Sequence, residues 1–407
     1  MKSVKILNVG IDFGNGSTPV GRLALKDHLI YFSYEPEFIE QGLEISPFTL
    51  PLKPGVIVFD NSLFEGLPGV FNDSLPDGWG RLLFNRYVQS MGVLSSQVSP
   101  LDRLSYVGTH ALGALVYEPD VKIAPEIGNI HLDTVATNSQ EVLEGASVDV
   151  LEELLYLNGS SAGARPKALI GVCPKREHII QGEIKLEKGF EPWLVKFPNS
   201  LDGVDAGSIE YVYALMAKDA GINMSDVHLF PAKKGPGYFA TKRFDVHMGK
   251  RFHMHSACGL LHADFRFPSL DYRDLLNLTF MLTRDIREVE KMFHLAVFNV
   301  LSHNRDDHSK NFSFLMDEQG QWKLSPAYDL TFSSGPGGEQ STMVMGEGKN
   351  PRVEHLIKLG LEAKINTIQI DKIIDQTRSA LHSWSHQAKQ YGVSERMRIM
   401  IAKRLLL

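Results

Sequence analysis

Residues 302 to 311, SHNRDDHSKN, crowd Asp306, Asp307, Lys310 and Asn311 between two apolar runs, FHLAVFNVL before and FSFLM after. Burying unpaired charge is costly. Either this stretch is a solvated loop, or the chain folds so as to hold a charged site against its core. No other feature constrains the fold so tightly. An apolar helix must end, a charged loop must follow, and the hairpin NFSFLMDEQGQWKLSPAYDL must then return the chain and deliver Asp329.

The spacing has a chemical meaning. Asp306 precedes Asn311 by five positions, the separation of the base and the metal-binding amide in the kinase loop H-R-D-x-x-x-x-N. A carboxylate there accepts the proton of an acceptor hydroxyl, and an amide oxygen reaches a cation on the phosphates. Asp307 misses the spacing by one and is given no catalytic role. Asp329, after a strand, stands where a second cation-holding carboxylate belongs, and with Asn311 it makes a hard-oxygen pair suited to Mg²⁺. The competing reading is a solvated hairpin with Asp329 as a helix N-cap.

Upstream, PWLVKFP carries Lys196 inside an apolar strand. The following stretch, VDAGSIEYVYALMAKDAGI, has Ile209, Val212, Tyr213 and Met216 at helical spacing, Gly221 as its stop, and Glu210 as a candidate partner for the lysine. GSSAGARPKA is a small-residue loop before a strand. Its backbone N–H groups could cradle phosphate beside Lys167, although no G-x-x-x-x-G-K-[ST] motif is present. Ser160 and Ser161 read as accessible hydroxyls in that loop. IDFG at 11–14 spells a kinase metal motif in the wrong chain order. The longer VGIDFGNGST lacks the second loops of the sugar-kinase and actin ATPases. His253, His255, Cys258 and His262 have zinc-like spacing without a second ligand pair.

The length of 407 residues exceeds one compact core. A net charge of −6 argues against a nucleic-acid surface spread over the whole chain and leaves room for a local basic patch. Two cysteines make no disulfide framework and fit a reducing compartment. No signal-peptide core or membrane-length apolar run is visible, so a soluble cytoplasmic protein is expected. VGRLAL, KDH and LIYFSY read as a hairpin, PFTLPLKPGVIVF as proline-punctuated strands, and a helix should begin near Asp77. GYFATKRFDV reads as a strand facing KRFHMHS. PEIGNIHLDTVATNSQ carries no identifiable chemistry. From about 256 the pattern is helical, broken only by the hairpin. An α+β chain is expected, β-rich first and α-rich second, joined near 245–255.

Several of these segments, taken in order, are similar to those of the HipA family, the serine/threonine kinase toxins of bacterial type II toxin–antitoxin modules. They are STPVGRLAL, FEGLPGVFNDSLPDGWGRLL, Gly163-Ala164-Arg165-Pro166-Lys167, Lys196-Phe197-Pro198, Arg243-Phe244-Asp245, Asp306 through Asn311, and Tyr328-Asp329-Leu330. The resemblance implies a divergent, two-lobed protein-kinase-like fold, with an N-terminal subdomain over 1–120, a β-rich lobe over 121–246 and an α-helical lobe over 247–407. It implies ATP and Mg²⁺ between the lobes, with Asp306 as base and Asn311 and Asp329 on the metal. Lys196, Lys167, Ala162, Gly163, Ala164, His308 and Lys310 would serve the nucleotide, with Lys242 to Phe244 along the adenine and Glu210 supporting Lys196. It further implies autophosphorylation of Ser160, with Ser161 next in line, that ejects the loop and shuts the enzyme down. The implied partners are a helix-turn-helix antitoxin of the HipB type, which would carry most of the DNA contact, and a protein substrate such as an aminoacyl-tRNA synthetase. A binding protein without catalysis and a small-molecule kinase are the alternatives. ATP hydrolysis or autophosphorylation separates the first from a kinase, and transfer to metabolites rather than proteins marks the second.

Overall fold

The computed structural model describes residues 3–59, 63–121, 128–145, 150–182, 186–199 and 203–406. The first three residues of the PEIGNIHLDTVATNSQ stretch therefore lie outside the described residues, and the rest is mostly helix Leu132–Glu144.

The expected hairpin is present. Strands Ser17–Lys26 and Leu29–Tyr34 pair antiparallel around Asp27 and His28, both left-handed at φ 49° and 63°. Two positive φ values give a turn whose twist matches that of the flanking strands. The alternation in LIYFSY buries Ile30, Phe32 and Tyr34 on one face. Strands Ile6–Asp12, Val56–Phe59 and Leu115–Glu118 complete a five-stranded antiparallel sheet. Only four residues of the proline-punctuated stretch are strand, because prolines cannot donate to a ladder. IDFG spans the end of the first strand and the start of the turn after it. Asp12 Oδ1 accepts the N–H groups of Gly14 and Gly16, and a Cβ on Gly14 would lie 2.3 Å from the Gly249 carbonyl oxygen. It is packing, and no metal motif.

A second five-stranded sheet runs in the order Ile179–Gln181, Lys167–Val172, Glu191–Lys196, Tyr238–Lys242, Val227–Phe230. Helices Gly78–Ser90 and Leu151–Asn158 close one face with Trp79, Leu83, Phe84, Leu154 and Leu155. Helix Ala206–Asp219 stops before Gly221, as its periodicity predicts, and packs toward the helical half through Val212, Tyr213 and Met216. The strand Tyr238–Lys242 pairs with its sheet neighbours, and the expected pairing of GYFATKRFDV with KRFHMHS is met only at its end, where Val246–His247 forms a short hairpin with Lys250–Arg251. The rest of KRFHMHS is the strand His253–Ser256, which joins Ser313–Met316.

The second half is helical around Phe293, Phe298, Phe312, Phe314 and Trp384. Helix Ile286–Leu301 is capped by Asp285, whose carboxylate accepts the Arg287 N–H. The hairpin Ser313–Met316/Trp322–Leu324 forms as expected. It is not the only break: residues 331 to 352 are a second long non-helical segment, rich in Gly and Ser, which polar contacts with the charged loop hold in place. The first half also contains more helix than its strand patterns reveal, so the β-rich and α-rich halves are a matter of proportion. Among the described residues no helix is long and apolar enough to cross a membrane.

Candidate active site

Lys196 stands on a central strand and not on an edge, directly across the ladder from Lys167. Its ammonium donates to Glu210 Oε1 at 2.6 Å and to Asp329 Oδ1 at 2.5 Å. Glu210 is 2% exposed on its helix and also accepts from Arg165 Nη1 at 3.3 Å. Burial works against the Lys196 charge, but Asp329 and Glu210 outweigh it and hold its pKa above the usual lysine value. Burial would likewise raise Asp329, yet Lys196 and Lys167 hold its carboxyl well below the usual range. No helix follows Asp329, so it is not an N-cap; it takes a left-handed backbone at φ 57°. Such a conformation is uncommon outside glycine, although aspartate tolerates it better than most residues.

Helix Ile286–Leu301 ends at Ser302, and His303, at φ 58°, turns the chain into the charged loop. Asn311 Nδ2 donates to the Asp306 carbonyl oxygen at 2.7 Å, which leaves the Asn311 amide oxygen available to a cation. Burial pushes the Asp306 carboxyl above its ordinary range. The charge of Asp329 adds to the rise, while His308, Arg165 and Lys196 oppose it. The five-residue spacing therefore brings Asp306, Asn311, Asp329 and Lys196 into one cleft.

Asp307 faces the opposite way. It is fully buried, and its carboxylate accepts from Tyr272 Oη at 2.7 Å, Gln340 Nε2 at 2.9 Å, Ser341 N at 2.9 Å and Thr342 N at 3.2 Å. With its lone pairs so engaged it anchors the 331–352 segment and has no access to a substrate. Arg305 adds to the anchor by donating to the carbonyl oxygens of Gly338 and Lys349.

The small-residue loop 159–166 is seated against the site. Lys167 Nζ donates to the Ala162 carbonyl oxygen, and burial, reinforced by Lys196, pushes the Lys167 pKa down to about 8. Ser160 and Ser161 are not accessible, which corrects the reading from sequence: each is 1% exposed. Ser160 Oγ accepts the Leu112 N–H at 2.6 Å, and Ser161 Oγ donates to the Asn158 carbonyl oxygen at 2.7 Å.

One residue of this site escaped the sequence reading. Asp77 was only a helix start, and it is the N-cap residue of helix Gly78–Ser90, but its side chain makes no capping bond. The carboxylate instead accepts Lys310 Nζ at 2.6 Å and the Gly163 N–H. Lys310 also lies 4.7 Å above the Phe265 ring, and His308 packs its ring 5.3 Å from the same phenylalanine. A carboxylate in Pro-Asp-Gly that forgoes capping leaves no trace in periodicity.

Lys242 and Phe244 line a separate pocket, whose lining includes none of Lys196, Asp306, Asn311 and Asp329. Lys242 pairs with Glu191 at 2.6 Å, and the Phe244 ring packs 5.5 Å from that of Tyr328, next to Asp329. This open pocket of about 430 Å³ is lined also by Met224, Phe252 and Lys323.

Asp329 and Asn311 offer hard oxygens, and among the described residues no group of three or more His, Cys, Asp or Glu is placed to hold a metal. A cation here would draw its remaining ligands from phosphate and water, which is how Mg²⁺ is commonly bound, so the donors fit it. The zinc-like spacing is otherwise used. His255 bridges Asp73 at 2.6 Å and Ser46 at 2.9 Å, His253 contacts the Ile45 carbonyl, His262 accepts the Gly69 N–H, and Cys258 is buried with its thiol pushed up to about 12.

Comparison with known proteins places the chain in a family. Residues 159–384 match the HipA-like C-terminal domain and residues 14–118 the HipA N-terminal domain. The chain is similar to the inferred kinase Y4mE of Sinorhizobium fredii, 26% identical over 64% of this chain and 63% of that protein. It is also similar to the serine/threonine-protein kinase toxin HipA of Shewanella oneidensis, 22% identical over 81% of this chain and 76% of that protein. Among solved structures it matches a chain from the Shewanella oneidensis MR-1 complex of HipA, HipB and operator DNA. The TM-score is 0.69 at 16% identity, covering 98% of this chain and 96% of that one. The fold is thus α+β of the HipA kind.

Proposed function

The chain belongs to the HipA family, and we propose that it is an ATP-dependent serine/threonine protein kinase, the toxin of a toxin–antitoxin pair. The observation that carries this reading is Lys196, clamped between Glu210 and Asp329 in the cleft that also holds Asp306 and Asn311. A fixed lysine, a cation-holding carboxylate and a base are the parts that phosphoryl transfer needs.

In this reading Lys196, Lys167 and the backbone of Ala162 to Ala164 hold the phosphates, with His308 and Lys310 flanking, and the adenine lies along Lys242 to Phe244. Asn311 and Asp329 would hold Mg²⁺, which would screen the charge of the phosphates. Asp306 takes the proton of the acceptor hydroxyl as that oxygen bonds to the γ-phosphorus. The bond from phosphorus to the β–γ bridging oxygen breaks, and ADP leaves. The raised Asp306 pKa makes it a stronger base than an ordinary aspartate.

Regulation by Ser160, or by Ser161 beside it, fits the buried seat. Neither hydroxyl can reach a phosphate donor until the loop leaves. A phosphoserine carrying roughly −1.5 to −2 charges cannot return to a seat of that size. We propose further that the partner is a HipB-type antitoxin, that the acceptors to test first are aminoacyl-tRNA synthetases, and that 1–120, 121–246 and 247–407 are the working units. Incubation with labelled ATP and Mg²⁺, followed by mapping of phosphosites, tests the reading. Label on Ser160 or Ser161 supports it, whereas protein of unmodified mass that neither labels itself nor labels any protein in a lysate overturns it.

A further inference from the structure

The loop 159–166 that borders the phosphate end of the cleft is held largely from outside its own sheet. Gly163 donates its N–H to Asp77, and its carbonyl oxygen accepts the Trp79 N–H at 3.0 Å. Ser160 accepts the Leu112 N–H. All three partners come from residues 77 to 112, within the N-terminal family match and outside the C-terminal one. The approach is close: a Cβ on Gly78 would lie 2.6 Å from the Gly163 carbonyl oxygen and 2.8 Å from the Ala164 Cα.

Asp77 differs from the other two contacts in being charged and in having a second partner. Its carboxylate joins the loop to Lys310, three residues before the start of strand Ser313–Met316 and four after Asp306. Lys310 is 11% exposed at its side chain, and among the described residues Asp77 is the one carboxylate in contact with it. Lys167 contributes a further positive charge near Asp77. Without the carboxylate, Lys310 and Lys167 would each lose a compensating negative charge and the Gly163 N–H its acceptor.

We propose that Asp77 is a positioning residue of the site. Its carboxylate holds Gly163 and Lys310 at a fixed separation, so that the start of helix Gly78–Ser90 sets whether the phosphate-binding loop is seated. The chemical steps remain with Lys196, Asp306, Asn311 and Asp329. Asp77 acts through the loop, and its loss releases the segment that carries Ser160 and Ser161. In consequence the affinity for a nucleoside triphosphate depends on a residue outside the C-terminal family match, and anything that shifts the 73–78 segment changes that affinity. The role in nucleotide affinity rests on the proposed kinase reading; the role in seating the loop does not.

Hydrogen exchange in the full-length, nucleotide-free protein separates the two. A buried hydrogen bond to a charged group contributes roughly 1.5–3 kcal/mol, so Asp77→Ala is expected to speed exchange of the 161–164 amides about ten- to a hundredfold. Amides of helix Ile286–Leu301 should stay as protected as in the parent. Asp77→Asn, which keeps an acceptor oxygen for Gly163 but loses the charge for Lys310, should fall between. In steady-state kinetics Asp77→Ala should raise KM for ATP more than it lowers kcat. Unchanged exchange of 161–164 in Asp77→Ala overturns the proposal, and so does a rise shared equally by the 286–301 helix, which would mark a general loss of stability. If loop exchange responds while no variant or parent transfers phosphate, the kinase reading fails and the positioning role stands.

Discussion

Replacing Lys196 by methionine keeps the length and apolar stem of the side chain and removes its charge. Glu210, 2% exposed, then keeps Arg165 at 3.3 Å as its nearest cation while still facing the Asp329 carboxylate. Breaking a buried pair by removing one partner costs about 3–5 kcal/mol. Because Arg165 remains and Asp329 is partly solvated, the lower end applies, about 3 kcal/mol. For a cooperative unit of the size of the C-terminal family match, roughly 2–4 °C accompanies each kcal/mol. Thermal unfolding of Lys196→Met at pH 7 should therefore fall by about 6–12 °C. The double variant Lys196→Met/Glu210→Gln, in which no carboxylate is stranded on the helix, should recover most of that loss and none of the phosphoryl transfer. A melting temperature within 2 °C of the parent for the single variant, or a double variant no more stable than the single, would refute the idea that Glu210 depends on Lys196.

Three further outcomes follow from the same geometry. The Asp307 carboxyl is pushed up to about 6 by burial, against the donors Tyr272, Thr342 and Gln340. Because it binds its proton more tightly folded than unfolded, its contribution to stability falls as pH rises from about 4 to about 6, by about 3 kcal/mol. Urea unfolding across that range should show the fall in the parent and not in Asp307→Asn, and parallel pH profiles would contradict the assignment. Lys167, held at about 8, should lose its proton above that pH, so KM for ATP should climb between pH 7.5 and 9; a flat profile there would place Lys167 away from the phosphates. Gly78→Ala would drive a methyl into Gly163 at a backbone φ of 44°, and titration with a fluorescent ATP analogue should show binding weakened at least tenfold. Binding as tight as in the parent would mean that the loop does not need that seat.

The charged loop was legible in the sequence because its arrangement is local. Asp306 and Asn311 are five residues apart, and Asp329 follows a hairpin whose apolar alternation is plain, so chain order alone brings them near one another. Lys196 was legible for a similar reason, as a charge inside an apolar strand with Glu210 one helix later. What stayed hidden depended on distant packing. The exposure of Ser160 and Ser161 could not be read from small residues in a row, because Leu112 and Asn158 bury them. The 331–352 segment has no periodicity, and what orders it is Asp307, a residue that spacing could only set aside. Asp77 reads as an N-cap by residue type and position, and its diversion to Gly163 and Lys310 requires two segments far apart in the chain. The histidines of 253–262 carried a spacing signal that tertiary contacts with Asp73, Ser46 and Ile45 fully absorb.

The central claim is that Asp306 is the base and Asp307 an anchor. Labelled ATP and Mg²⁺ should be given to the parent, Asp306→Gln and Asp307→Asn, each checked for its folded state at the assay temperature. General-base assistance is typically worth about 10²- to 10⁴-fold. The account predicts a loss of that size in Asp306→Gln with unchanged stability, and a less stable Asp307→Asn that still transfers phosphate while folded. An Asp306→Gln protein as active as the parent, with Asp307→Asn folded and inactive, would contradict it.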